Sequence, residues 1–143
     1  MNKESYHNDL KNKWKMFVKH GWVATNSTNH VMLRSWQKCL KHCDPRHWNT
    51  PVKASGQTLQ TIFSRNEEFI RISQRVVEDH FTLAGDDRLA FLIIDPHGWV
   101  LSLNAAGDYS SQLRELGIES GMSWAEDGIG TNVYRSEERR VGK

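Results

Sequence analysis

The chain has 143 residues, 38% hydrophobic and 25% charged, a length and apolar share that suit one domain with its own core. Four of its 19 Lys and Arg and two of its 17 Asp and Glu fall in the last nine residues, so residues 1–134 carry 15 of each and no net charge. A neutral body offers no electrostatic footprint for nucleic acid or an anionic membrane.

No apolar run reaches the roughly 20 residues of a membrane span, and the start, Met1-Asn2-Lys3-Glu4-Ser5, lacks the apolar stretch of a secretory signal. The two cysteines, Cys39 and Cys43, make no disulfide framework, so the expected home is a reducing cytoplasm. From Tyr6 to Lys19, Leu10, Trp14, Phe17 and Val18 recur at helical spacing among lysines, and His20-Gly21 predicts the end of that helix. A polar linker, Ala24 to Asn29, precedes a second helix with Val31, Met32, Leu33, Trp36, Cys39 and Leu40 inward. This helix is predicted to end near Cys43-Asp44-Pro45. Residues 46–56 read as irregular.

The longest regular element is predicted from about Thr58 to Leu83, with Leu59, Ile62, Phe63, Phe69, Ile70, Val76, Val77 and Phe81 as its apolar stripe. Ala84-Gly85-Asp86-Asp87 breaks it, and the period changes to that of a strand over Leu89–Ile94. Asp95-Pro96-His97-Gly98 then predicts a turn into a second strand, Trp99–Leu103, making a hairpin. The first strand is almost wholly apolar, which predicts burial on both faces at the centre of a sheet. A short helix over Ser110–Leu116 leads into a loop punctuated by Gly121, Gly128 and Gly130. Two strands are too few for a sheet with a buried centre, so flanking strands are expected beyond these residues.

Several residue groupings carry chemistry in other settings. Cys39, His42, Cys43 and His47 have metal-ligand character, but helical spacing turns the two thiols inward and His42 outward, which favours buried thiols over a metal site. The seven histidines are scattered, no nucleophile sits in an elbow, and Glu78, Asp79 and His80 fall at a helix end, so no enzyme activity is expected. Gly128-Ile129-Gly130 lacks the third glycine and the preceding strand of a phosphate-binding fingerprint, and the chain has no P-loop. No cofactor is expected. Glu126 and Asp127 read as part of a loop capping a helix at Gly130-Thr131-Asn132, and Trp124 as either a pocket-lining or a core residue. The last nine residues, Arg135 to Lys143, resemble the in-frame translation of a sequencing adapter, which places the end of the native frame near Tyr134.

Four blocks, in order, carry a family likeness. They are Ser35-Trp36-Gln37-Lys38-Cys39; Trp48-Asn49-Thr50-Pro51 running into the helix near Thr58; Leu92 to Ser102; and Gly117-Ile118 through Gly121-Met122-Ser123-Trp124-Ala125-Glu126-Asp127-Gly128-Ile129-Gly130-Thr131-Asn132. The order resembles the amino-terminal sensor region of bacterial enhancer-binding, sigma-54-type transcription activators, the dihydroxyacetone kinase operon and acetoin regulators. Lys38 stands where arginine is usual in that family.

The resemblance implies an α+β fold, with N-terminal helices followed by an incomplete GAF-like antiparallel sheet. The expected organisation is a helical segment over residues 1–56, a truncated GAF-like sensor domain over 57–134 and the adapter-like tail over 135–143. It implies a signal-sensing fragment of an activator of glycerol/dihydroxyacetone or acetoin metabolism. Its effector would be a small molecule or a protein, including dihydroxyacetone kinase subunits, and a homodimer is among the assemblies it allows. DNA and RNA polymerase would be reached through C-terminal domains that this chain lacks. Trp124, Glu126, Thr131 and Asn132 are the candidate ligand-binding residues, with helix capping and core packing as the competing roles. The other readings are a stand-alone GAF small-molecule or protein interaction module and the input domain of a signalling enzyme.

Overall fold

The computed structural model describes residues 3–21, 30–47, 49–84 and 89–131, so Trp48, Asn132 and the last nine residues lie outside the described residues. The fold is α+β. Helices α1 (Lys3–His20) and α2 (His30–Cys39) precede α3 (Gly56–Arg65), α4 (Glu67–Ala84), β1 (Ala90–Ile94), β2 (Val100–Ala105), α5 (Gly107–Glu115) and α6 (Glu126–Ile129).

Helix α1 forms where the apolar residues recur at helical spacing. It ends at Gly21, whose φ of 73° lets its N–H return to the Phe17 carbonyl at 2.7 Å. Its apolar stripe packs on α2. Trp14 meets Trp36 edge-on at 4.9 Å between centroids and 68° between planes, and Phe17 lies 5.3 Å from Trp36. Such contacts add about 0.5–1.5 kcal/mol each beyond the area they bury. Leu33, Phe17 and Trp36 are buried, with Leu10, Trp14 and Met32 around them.

The predicted 58–83 helix is two helices. Asn66 interrupts it with φ −107° and ψ 10°, and its side-chain amide donates to the Ile62 carbonyl at 2.8 Å and to Asp95 Oδ2 at 3.3 Å. Asparagine competes with the backbone for hydrogen bonds, and a tertiary acceptor makes that competition decisive here. The apolar period runs through the break almost unchanged, which is why the sequence reads as continuous. The two helices lay Ile62 and Val77 against Ile93 and Leu101 of the hairpin, with Ala54 completing that core. Truncating one such residue to Ala costs about 2–5 kcal/mol.

Strands β1 and β2 pair antiparallel, with Leu92 opposite Leu103, Ile93 opposite Ser102 and a register shift at Ile93/Ile94. The first strand, expected at the centre of a sheet whose flanking strands lie beyond these residues, is an edge strand among the described residues. Among the described residues β1 pairs with β2 and with no other strand, and Leu92 is 40% exposed while its neighbour Ile93 is buried. Alternation puts those two on opposite faces, so one face of β1 packs on the helices and the other is open.

The sheet is extended instead on the β2 side, by segments read from the sequence as loop. Trp99 bridges Ser123, and Lys53 bridges Met122, both antiparallel. The Val100 N–H donates to the Met122 carbonyl at 2.9 Å, the Gly121 N–H to Val100 at 2.8 Å, and the Ala54 N–H to Gly121 at 2.9 Å. Residues 121–124 thus run between the start of β2 and residues 52–54. Neither segment alternates in hydrophobicity, which hides both from pattern reading.

The hairpin turn is organised by Asp95, whose side chain is 0% exposed. Its Oδ1 accepts from the backbone N–H groups of His97 and Trp99 at 2.9 and 3.0 Å, and its Oδ2 accepts from Arg65 Nη2 at 2.8 Å. Gly98, at φ 91°, allows the turn to lie against α6, where an added Cβ would stand 2.8 Å from the Ala125 nitrogen. The N-terminus of α6 is therefore seated directly on the hairpin tip.

Candidate functional site

The site is the junction where α2 meets α6. Ser35, Lys38 and Cys39 stand at i, i+3 and i+4 on α2, so they share one helical face. That face is presented to Glu126, the first residue of α6. Glu126 is 2% exposed, yet its carboxylate is partnered: the Ser35 hydroxyl donates to Oε1, and Lys38 Nζ lies 3.4 Å from Oε2. A buried carboxylate without such partners would cost several kcal/mol. Lys38 is 47% exposed, so solvent screens its charge and the hydroxyl is the enclosed contact.

Thr131 closes the other side. Its hydroxyl shares a 2.6 Å hydrogen bond with Ser35 Oγ and lies 3.6 Å from Cys39 Sγ. The two thiols point inward, as their spacing predicts, and His42 is exposed. Cys39 Sγ stands 3.6 Å from the Glu126 carbonyl, and Cys43 Sγ stands 3.6 and 3.4 Å from those of Asp127 and Gly128. Burial raises the Cys43 pKa, and the neighbouring Cys39 and Asp127 push it the same way. Such a thiol is a weak nucleophile and a poor metal ligand at neutral pH. No group of three or more potential metal ligands converges among the described residues.

Of the four predicted loop residues, the structure brings Glu126 and Thr131 together on Ser35. Trp124 is held elsewhere: its indole N–H donates to the Gly117 carbonyl at 3.0 Å, and its backbone N–H to Gly98 at 2.7 Å. Asn132 lies outside the described residues. Glu126 opens α6 itself, so the loop expected to cap a later helix already contains a short one. Sequence reading did not single out Ser35 as a partner of Glu126, because 91 positions separate them and no periodicity connects them. It also missed Arg65, Asn66 and Asp95 as a unit. Asp before Pro in a turn was the available signal, since Asp side chains bond backbone N–H groups just ahead of them.

What the geometry provides is a mechanical connection. Helix α2 and Cys43 just beyond it meet α6 and Thr131 through one buried acid, one hydroxyl pair and the two thiols. A cleft of about 590 Å³ opens beside this connection, between α1, α2, Cys43–Pro45, His47, Asn49 and the end of α6. A smaller depression of about 330 Å³ lies on the hairpin side, lined by Lys38, His42, His97 and Asp127 among others. No nucleophile–base pair or metal cluster appears among the described residues at either place.

The chain is 32% identical over 101 residues to the PTS-dependent dihydroxyacetone kinase operon regulatory protein of Escherichia coli K12, a match covering 71% of this chain and 16% of that protein. It is 25% identical over 127 residues to the acetoin dehydrogenase operon transcriptional activator AcoR of Bacillus subtilis 168, covering 88% and 21%. Its fold matches a chain in the crystal structure of the E. coli DhaR(N)–DhaL complex with a TM-score of 0.68 and 30% identity, over 72% of this chain and 35% of that one. The chain is homologous to these regulators. It spans about a fifth or less of the length of the two curated relatives. No family model matches it. The Ser35–Cys39 block and, within the Gly117–Asn132 block, Glu126 and Thr131 are the two sides of the α2–α6 junction.

Proposed function

We propose that this chain is the amino-terminal signal-sensing segment of a bacterial transcription activator that controls glycerol/dihydroxyacetone or acetoin metabolism. In this reading it binds an effector and performs no catalysis. The observation that carries the proposal is the match, at 30% identity and a TM-score of 0.68, to a DhaR(N) chain crystallised with DhaL. That likeness supports a protein effector, a kinase subunit of the DhaL type, over a free metabolite. The sheet with its α3–α4 layer is read as part of a GAF-like domain, and residues 1–56 as the helical segment that precedes it.

The α2–α6 junction is where effector occupancy would be converted into a change of shape. Trp124, Glu126, Thr131 and Asn132 form the responsive segment in this proposal, with Trp124 on the hairpin side and Glu126 and Thr131 clamped to α2. An effector acts on such an element through its differential affinity for the clamped and released arrangements. Output to DNA and polymerase is assigned to domains beyond this chain.

The test is a binding titration of the full 143-residue chain with a purified DhaL subunit, followed by calorimetry. Saturable binding that weakens in Glu126→Gln supports a protein effector acting through the clamp. A chain that is folded by circular dichroism yet binds no DhaL refutes the dihydroxyacetone branch. Acetoin binding under the same conditions would move the assignment to the acetoin branch.

A further inference from the structure

The 590 Å³ cleft beside the junction lies outside the hairpin region and is not accounted for by the clamp. Its floor is apolar and aromatic. Leu10 and Trp14 come from α1 and Met32 and Trp36 from α2, with the two indoles arranged edge to face. Its mouth includes exposed Leu40. Volumes of about 300–1,000 Å³ with an apolar lining and few polar groups are typical of small-molecule sites. Charge at the rim is unbalanced. Asp44, the one acid there, is already engaged: Oδ1 accepts from the Arg46 N–H and Oδ2 meets His47 Nδ1, each at 2.9 Å. Lys11, on the facing helix, is exposed, and its side chain makes no hydrogen bond or ion pair among the described residues. A lysine on the wall of a cleft that also has two indoles in its lining favours an anionic head on an apolar, flat body.

We propose that this cleft binds a small aromatic carboxylate, its ring against Trp14 and Trp36 and its carboxylate on Lys11. The site goes beyond the effector reading above and does not depend on it. Cys39 and Thr131 line the cleft and also belong to the clamp on Glu126, so an occupant touches the α2–α6 junction directly. Bound ligand bridges α1 and α2 to the end of α6 and holds the junction closed.

The experiment is a titration of the ¹⁵N-labelled full chain with 2-naphthylacetate, and with 2-(2-naphthyl)ethanol as its neutral counterpart, following the tryptophan indole N–H signals. The expected result is saturable shifts at Trp14 and Trp36, little change at Trp99 and Trp124, and tighter binding of the carboxylate. Lys11→Glu, at an exposed position, is expected to weaken the carboxylate about tenfold and leave the alcohol unchanged. Leu40→Trp is expected to fill the mouth and abolish both. Because both substitutions are on the surface, folding is checked by retention of the remaining indole signals. The proposal is overturned by unmoved Trp14 and Trp36 signals up to the solubility limit, by equal affinity for acid and alcohol, or by Lys11→Glu binding like the parent.

Discussion

Asp95→Asn is the most informative single change to the fold, because it preserves shape and reverses the hydrogen-bonding character of one atom. The asparagine carbonyl can replace Oδ1 and still accept from the His97 and Trp99 N–H groups. The position of Oδ2 becomes an NH₂ facing Arg65 Nη2 at 2.8 Å and the Asn66 amide at 3.3 Å, three groups that all donate. Two hydrogen bonds are lost in a site with no water access to Asp95. A bond to a charged acceptor is worth about 1.5–3 kcal/mol and a long amide bond about 1 kcal/mol. Arg65 is 47% exposed and recovers solvation, so the charged contribution belongs at the low end. The expected loss is therefore about 2–3 kcal/mol. With a urea m-value near 2 kcal/mol/M, the unfolding midpoint falls by about 1–1.5 M. Tryptophan fluorescence and far-UV circular dichroism in urea measure it together, and coincident curves establish two-state behaviour. A midpoint within about 0.2 M of the parent, at unchanged m, would show that Asp95 does not organise the hairpin and the α3–α4 break.

Three further outcomes are expected. In a double-mutant cycle of Ser35→Ala and Glu126→Gln, urea unfolding should give a coupling of about 1–2 kcal/mol, and additivity within 0.3 kcal/mol or so would remove the clamp. Gly98→Ala should destabilise the chain by roughly 1–3 kcal/mol, since φ is 91° and the new Cβ would meet Ala125 backbone at 2.8 Å. Unchanged stability with an unchanged Trp124 indole resonance would contradict the close packing of α6 on the turn. Cys43 has its pKa raised by burial, so the folded chain holds that proton more tightly than the unfolded chain does. Its contribution to stability is complete below the ordinary thiol pKa of about 8.5 and is lost as pH rises through the folded value. The parent should therefore lose stability above that pH more steeply than Cys43→Ala, and parallel pH profiles would contradict the assignment.

Glycine and aspartate at a turn, and apolar residues three and four apart, act within a few positions of themselves. Hence the sequence by itself determined α1 with its stop at Gly21, the inward turn of Leu33, Trp36 and both thiols but not of Val31 and Leu40, which are exposed, and the hairpin around Asp95–Gly98. The family blocks were legible too, since each is contiguous. What the tertiary structure decided were relations between distant residues. Asn66 sits in an apolar period that continues on both sides, and the break there depends on an acceptor 29 positions away. The 52–54 and 121–124 segments become part of the sheet because their backbone groups find each other and β2, not because their side chains alternate. That one face of β1 is open among the described residues cannot be read from its apolar run, which reports hydrophobicity and not what covers it. Ser35 and Glu126 are ordinary polar residues along the chain, and α2 and α6 must dock before the carboxylate can be buried against that hydroxyl.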